Sequence, residues 1–278
     1  MPFTVAHAAA GLPLKAVLPR RLSLSGLMAG AMAPDLLYFL VMTTVDRGLS
    51  HSWPGLFLFC LPAGTAFALA FHGLIKYPLL TNLPSPWDRR FSGLATARFH
   101  PHGVRGWSVV VLSVGIGALT HFFWDSFTHP GGELARALPF LQAQVRAFGQ
   151  VIPVSRIAQH TSTLLGISAL LSGSWRGWLL PAPATGARFR TARDKWRFWL
   201  GSGLFATLFA LAVTWAYRTY WPDRVATTFT TFGLAGWAGF FWVVAVCGAI
   251  SRFLPGRGRS GPAGDRARQP VGAWRSQS

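Results

Sequence analysis

Six stretches of this chain run for about 20 residues with almost no charge, the length a helix needs to cross a bilayer. They cover residues 22–44, 53–75, 107–128, 161–180, 196–218 and 227–250. Lipid offers the backbone no hydrogen-bond partner, so such a chain is confined to helices that satisfy their own amides. A seventh apolar stretch, 3–18, is short and punctuated by Pro2, Pro13 and Pro19, and reads either as a first span or as an interfacial helix. The expected fold is all-α, a polytopic transmembrane helical bundle of six to seven spans. The helical domain is expected over 1–253, with a site-bearing part at 1–173 and two further spans in 196–253. Residues 254–278, rich in Gly, Arg, Ser and Pro, read as a disordered basic tail.

Composition agrees: hydrophobic residues are 51% of the chain and charged residues 12%, far from a soluble average. A net charge of +18 raises nucleic-acid binding, but the basic residues flank the apolar runs in blocks and make no patch on a polar domain. Their distribution instead sets orientation. Four alternate flanking segments hold 20 of the 26 Lys and Arg residues, and positive flanks stay in the cytoplasm. The expected topology therefore has the C-terminus cytoplasmic and membrane lipids as neighbours. Arg20, Arg21 and the run to Ala-Met-Ala at 31–33 resemble a signal peptide, but Pro34 directly after it disfavours cleavage. The two cysteines, Cys60 and Cys247, lie in apolar runs and form no disulfide or zinc pattern.

Within and beside these runs stand ionisable residues that hydrocarbon penalises, which marks them as candidates for function. His121, Asp125 and His129 recur every four residues and share one helical face as far as Pro130. An imidazole and a carboxylate so placed chelate zinc or a similar divalent ion, or else tie helices together as a hydrogen-bonded pair. Asp35 follows Pro34 inside a span, where it serves either as a cation ligand or as a cap for freed amides. His51 lies in a turn from Asp46 at the start of the next span, and His160 begins another. At 1.5 Å per helical residue, His7 lies about 18 Å from Pro19, Asp35 about 21 Å from Arg21 and His121 about 21 Å from Trp107, a common depth on the non-cytoplasmic side. His72, His100 and His102 fall on the basic side and stand apart from this group.

At these residues the chain resembles a bacterial multi-pass family known as domain of unknown function 4184. The likeness runs over about residues 1–173 through Met-Pro-Phe-Thr…His7, Met32-Ala-Pro-Asp35, His51-Ser-Trp-Pro-Gly55, His121-Phe-Phe-Trp-Asp125-Ser-Phe-Thr-His129 and Gln159-His160. More distantly it is similar to the YdjM-like group of membrane-bound metal-dependent hydrolases, which in turn resembles zinc-dependent phospholipase C. That likeness implies His7, Asp35, Asp46, His51, His121 and Asp125 as ligands of a divalent metal, zinc foremost. Asp46 departs from the pattern, standing where the group has a histidine, and Ser50 replaces its threonine. The implied chemistry is hydrolysis of a lipid or phosphoester near the outer leaflet, with Glu133, His129 and His160 as proton carriers. Two other classes remain open on the residues alone: a structural or assembly protein, and a proton-coupled transporter.

Overall fold

The computed structural model describes residues 4–43, 48–147, 149–175, 190–222 and 227–253. Asp46 and the basic tail at 254–278 lie outside the described residues. The fold is an all-α bundle. A helical segment α1 (4–17) precedes α2 (Leu24–Val41), α3 (Trp53–Thr81) and α4 (Gly103–Thr128), then α5 (Val154–Trp175), α6 (Ala192–Tyr220) and α7 (Thr228–Phe253). Five helices are long and apolar enough to cross a membrane, namely α2, α3, α4 with its extension to Ala137, α6 and α7. The chain is thus a multi-pass membrane protein. At 1.5 Å per residue α1 reaches about 21 Å, short of the ~30 Å hydrocarbon core.

The centre of the bundle is the seam between α2 and α4, where small residues replace large ones. A Cβ on Gly30 would stand 2.0 Å from the Val114 carbonyl oxygen, and one on Gly117 would stand 2.2 Å from that of Leu27. The two backbones touch there, as small residues allow between membrane helices. Ser113 adds a polar tie, its Oγ accepting from the Ser23 amide at 2.8 Å. The seam fixes the register of Asp35 on α2 against His121 on α4, one turn beyond the last glycine.

Helix α3 begins at a Ser52 cap and passes through two stretches of wider, π-type turn, Leu56–Cys60 and Phe71–Ile75. The first directly precedes Pro62, whose ring and missing N–H disturb an ordinary turn. Helix α5 starts at Val154, seven residues ahead of the apolar run that was expected to mark it, and it is not among the five span-like helices. Its first turns carry Ser155, Arg156, Gln159 and His160, so hydropathy hides a segment that is nevertheless helical. Residues 176–180 of that expected span lie outside the described residues. Between α4 and α5 a small hairpin pairs Gln144–Ala147 with Gln150–Pro153, turning at Gly149 with φ +72°.

Helices α6 and α7 pack on each other, and α7 rests on α3 at 71–75. At one end the Tyr217 hydroxyl donates to the Val41 carbonyl. At the basic end the Trp199 indole donates to the Asn82 carbonyl at 2.7 Å, and Lys195 pairs with Asp88. Burial raises the Asp88 carboxyl, but hydrogen bonds from Lys195, the Arg89 amide and Ser85 outweigh it and hold the group below the usual carboxylate range. A carboxyl depressed in the folded state adds stability above its unfolded value near pH 4, and that stability is lost as pH falls. Asp88→Asn is expected to cost about 2 kcal/mol at pH 7, less than a fully sequestered pair because Lys195 keeps 11% of its side-chain surface exposed. Thermal melts in detergent should show the gap closing toward pH 3; equal melting temperatures at pH 7 would refute the assignment.

Candidate metal centre

Five side chains from four separate segments meet at one point. Asp35 arrives from α2, His121 and Asp125 from α4, His7 from α1 and His51 from the turn before α3. The four-residue step on α4 puts His121 Nε2 3.4 Å from Asp125 Oδ2. His7 Nε2 lies 3.5 Å from Asp125 Oδ1, and His51 Nε2 lies 3.6 Å from Asp35 Oδ1 and 3.9 Å from Asp125 Oδ2. His121 Nε2 is 3.8 Å from Asp35 Oδ1. The rings of His7 and His121 stack with centroids 4.0 Å apart, and the His51 ring stands edge-on to His121 at 5.4 Å. Two triads, His7–His121–Asp125 and Asp35–His51–His121, hold donor atoms all within 4.8 Å of one another and share His121.

These spacings are too long for N–H···O hydrogen bonds, which fall at about 2.7–3.2 Å. They are close to the edge of a coordination polyhedron: a tetrahedron with bonds of about 2.0 Å has edges of about 3.3 Å. The inward atoms His7 Nε2, His121 Nε2, Asp35 Oδ1 and Asp125 Oδ1 are all buried without a hydrogen-bond partner. Orphaned polar atoms in a protein interior are costly singly, and four aimed at one point fit a ligand set. Two carboxylates facing the same imidazole also repel, which a dication would relieve. Three imidazoles and two carboxylates, with no thiolate, form a donor set suited to zinc and to similar borderline divalent ions.

The outward atoms of three of these side chains are held by hydrogen bonds, as metal ligands require for orientation. His121 Nδ1 lies 2.8 Å from the Ala31 carbonyl oxygen, which fixes that nitrogen as the donor. Thr4 Oγ1 donates to Asp35 Oδ2 at 2.8 Å. His51 Nδ1 has the Ser50 hydroxyl at 3.0 Å and Tyr38 at 3.4 Å. Asp35 therefore takes its hydrogen bond from a hydroxyl and turns its other oxygen to the imidazoles, which sets the cap alternative aside.

His129 stands at the rim, its Nδ1 3.5 Å from Asp125 Oδ1. Glu133 and His160 are exposed, and among the described residues neither takes part in the contacts that join the cluster. The cluster is closed on one side and open on the other: the His121 and Asp35 side chains are 0% and 1% exposed, Asp125 and His51 14% and 16%. The sequence reading placed Thr4 and Ser50 in the family pattern without their supporting role, and it missed Tyr38. Thr4 and Tyr38 are three residues from His7 and Asp35, one helical turn, and that spacing was the signal available. Ser155 was also missed; it and Gln159 are buried on α5, with Ser155 Oγ and Gln159 Nε2 lacking partners.

The fold and the cluster together define a polytopic helical membrane protein with a buried histidine–aspartate centre. The family profile described as Domain of unknown function (DUF4184) matches residues 1–249, and the chain belongs to that family. No curated protein and no solved structure matches it.

Proposed function

We propose that this protein is a membrane-bound, metal-dependent hydrolase acting on a lipid or other phosphoester, with zinc held by His7, Asp35, His51, His121 and Asp125. The observation that carries this reading is the convergence of buried donor atoms, unpaired by hydrogen bonds, at coordination spacing. Such an ion supplies Lewis acidity and a bound water of lowered pKa. The protein's own residues do the rest. Ala31, Thr4 and Ser50 orient the ligands from behind. His129, at the rim beside Asp125, is positioned to take and return a proton. The open side of the cluster admits substrate. The exposed apolar side chains of Leu49, Trp53 and Phe57 near the His51 turn suit an acyl-bearing molecule. The distribution of Lys and Arg supports an orientation with the cluster on the non-cytoplasmic side of a bacterial inner membrane and the C-terminus inside.

Two observations weigh against the other classes. A set serving only as interhelical glue would be hydrogen-bonded, whereas the inward atoms here are not. A carrier needs a polar route onward, and below the cluster α2 and α4 close backbone to backbone at Gly30 and Gly117. The test is metal analysis of the full chain purified in mild detergent, followed by hydrolysis assays on a panel of phospholipids with and without chelator. About one ion per chain and a chelator-sensitive release of product are expected; a metal-free, inert protein overturns the reading.

A further inference from the structure

A second site lies at the other end of the bundle. Ser25, near the start of α2, accepts or donates a 2.8 Å hydrogen bond with His72 Nε2; ten residues on, about 15 Å along the helix, stands Asp35. Around His72 a cavity of about 1310 Å³ opens between the far ends of α3 and α7, the 95–100 segment and the start of α6. Its walls carry Lys76, Arg98, Arg190 and Arg252, with His72 and His100 beside them, and among the described residues no carboxylate lines it.

Lys76 makes this arrangement unusual. It is only 2% exposed, and its ammonium donates to the Ala97 carbonyl, with no ion pair formed among the described residues. A buried cation without a counter-charge is strongly disfavoured, and among the described residues no carboxylate supplies one, so an anion from outside the protein would relieve it. The neighbouring groups are shaped for the same purpose. His72 stacks flat on Phe99 with centroids 4.3 Å apart, and its Nδ1 is buried without a partner. Arg252 is steadied by donating to the Gly73 carbonyl at 3.2 Å. The lining also carries the apolar side chains of Leu69, Phe198 and Ile250. Cations with apolar walls beside them match an amphiphile with an anionic head, on the face where basic residues concentrate and anionic lipids are attracted.

We infer that this cavity binds a phosphate-bearing anion, presented by a lipid headgroup whose upper acyl chains lie along the apolar walls. The site is separate from the metal centre and does not depend on the hydrolase reading. The test uses the full-length protein in two settings. In nanodiscs, binding and thermal stability are compared for phosphatidylglycerol against phosphatidylcholine; in neutral detergent, inorganic phosphate is titrated. Preference for phosphatidylglycerol with no response to phosphate identifies a lipid site, and saturable stabilisation by phosphate alone identifies a soluble phosphoester site. Each supports the phosphate chemistry. The variant R98Q/R252Q is expected to weaken phosphatidylglycerol binding about 25-fold at low salt, about fivefold per arginine. The control R20Q/R105Q removes two basic residues outside the cavity and is expected to leave binding nearly unchanged. The proposal is overturned if neither ligand binds, or if the control pair costs as much as the cavity pair, since general surface attraction then explains the effect.

Discussion

On the proposed zinc reading, Asp125→Asn is expected to purify without metal, its affinity lowered on the order of 100-fold or more. Loss of an outer-shell partner alone costs 10- to 100-fold, and in the proposed centre Asp125 is itself a ligand. Its carboxylate is the hub of the cluster: Oδ1 faces His7 and His129, while Oδ2 faces His51 and His121. The amide keeps the volume of the side chain but removes the charge that balances the ion. His129→Ala separates binding from chemistry. His129 sits outside the inner set, so this variant should retain metal while turnover drops about 10²- to 10⁴-fold, the usual contribution of a positioned proton carrier. Elemental analysis of both variants beside wild type checks the pair. Stoichiometric metal in Asp125→Asn would remove Asp125 from the ligand set.

The inner set was readable because ionisable residues in apolar runs stand out, and because depth can be counted along a helix from its basic flank. His7, Asp35 and His121 lie at one level on three segments, and the bundle brings them together. What counting could not supply was azimuth. The facing of α2 and α4 is decided by Gly26, Gly30 and Gly117, which register only as small residues until the backbones are seen to touch. The supports Thr4, Tyr38 and Ser50 are neutral and common, and carry no signal in hydropathy. Helix α5 was placed late for a related reason: a polar face turned toward protein, bearing Ser155 and Gln159, breaks the apolar run without breaking the helix. The Asp88–Lys195 pair joins residues 107 apart in sequence and was hidden inside what reads as a plain basic block. The same block concealed the cationic cavity, since His72 and Lys76 look like ordinary flanking residues until burial is known.

If the proposed metal is bound, removing it is expected to destabilise the bundle, because its ligands come from four separate segments. Segment α1 holds His7 and Thr4 against the centre and packs elsewhere on α2 and α5, as at Gly11 against Leu27 and Ala6 against Gly166. An ion that binds only the folded state adds RT ln(1 + [L]/Kd), about 4 kcal/mol when free metal is a thousandfold above Kd. For a chain of this size that corresponds to a melting shift of roughly 10 °C. Chelation should therefore lower the melting temperature by about that amount, and hydrogen exchange should rise first in 4–17, the shortest of the ligand-bearing segments. Metal added back should restore both, while Asp125→Asn should melt like the chelated wild type and ignore the chelator. The logic fails if chelator leaves wild-type melting and exchange unchanged, because five inward-facing donors that lose an ion must then face one another: two carboxylates and three imidazoles at 3.4–3.9 Å, with no cation to hold them.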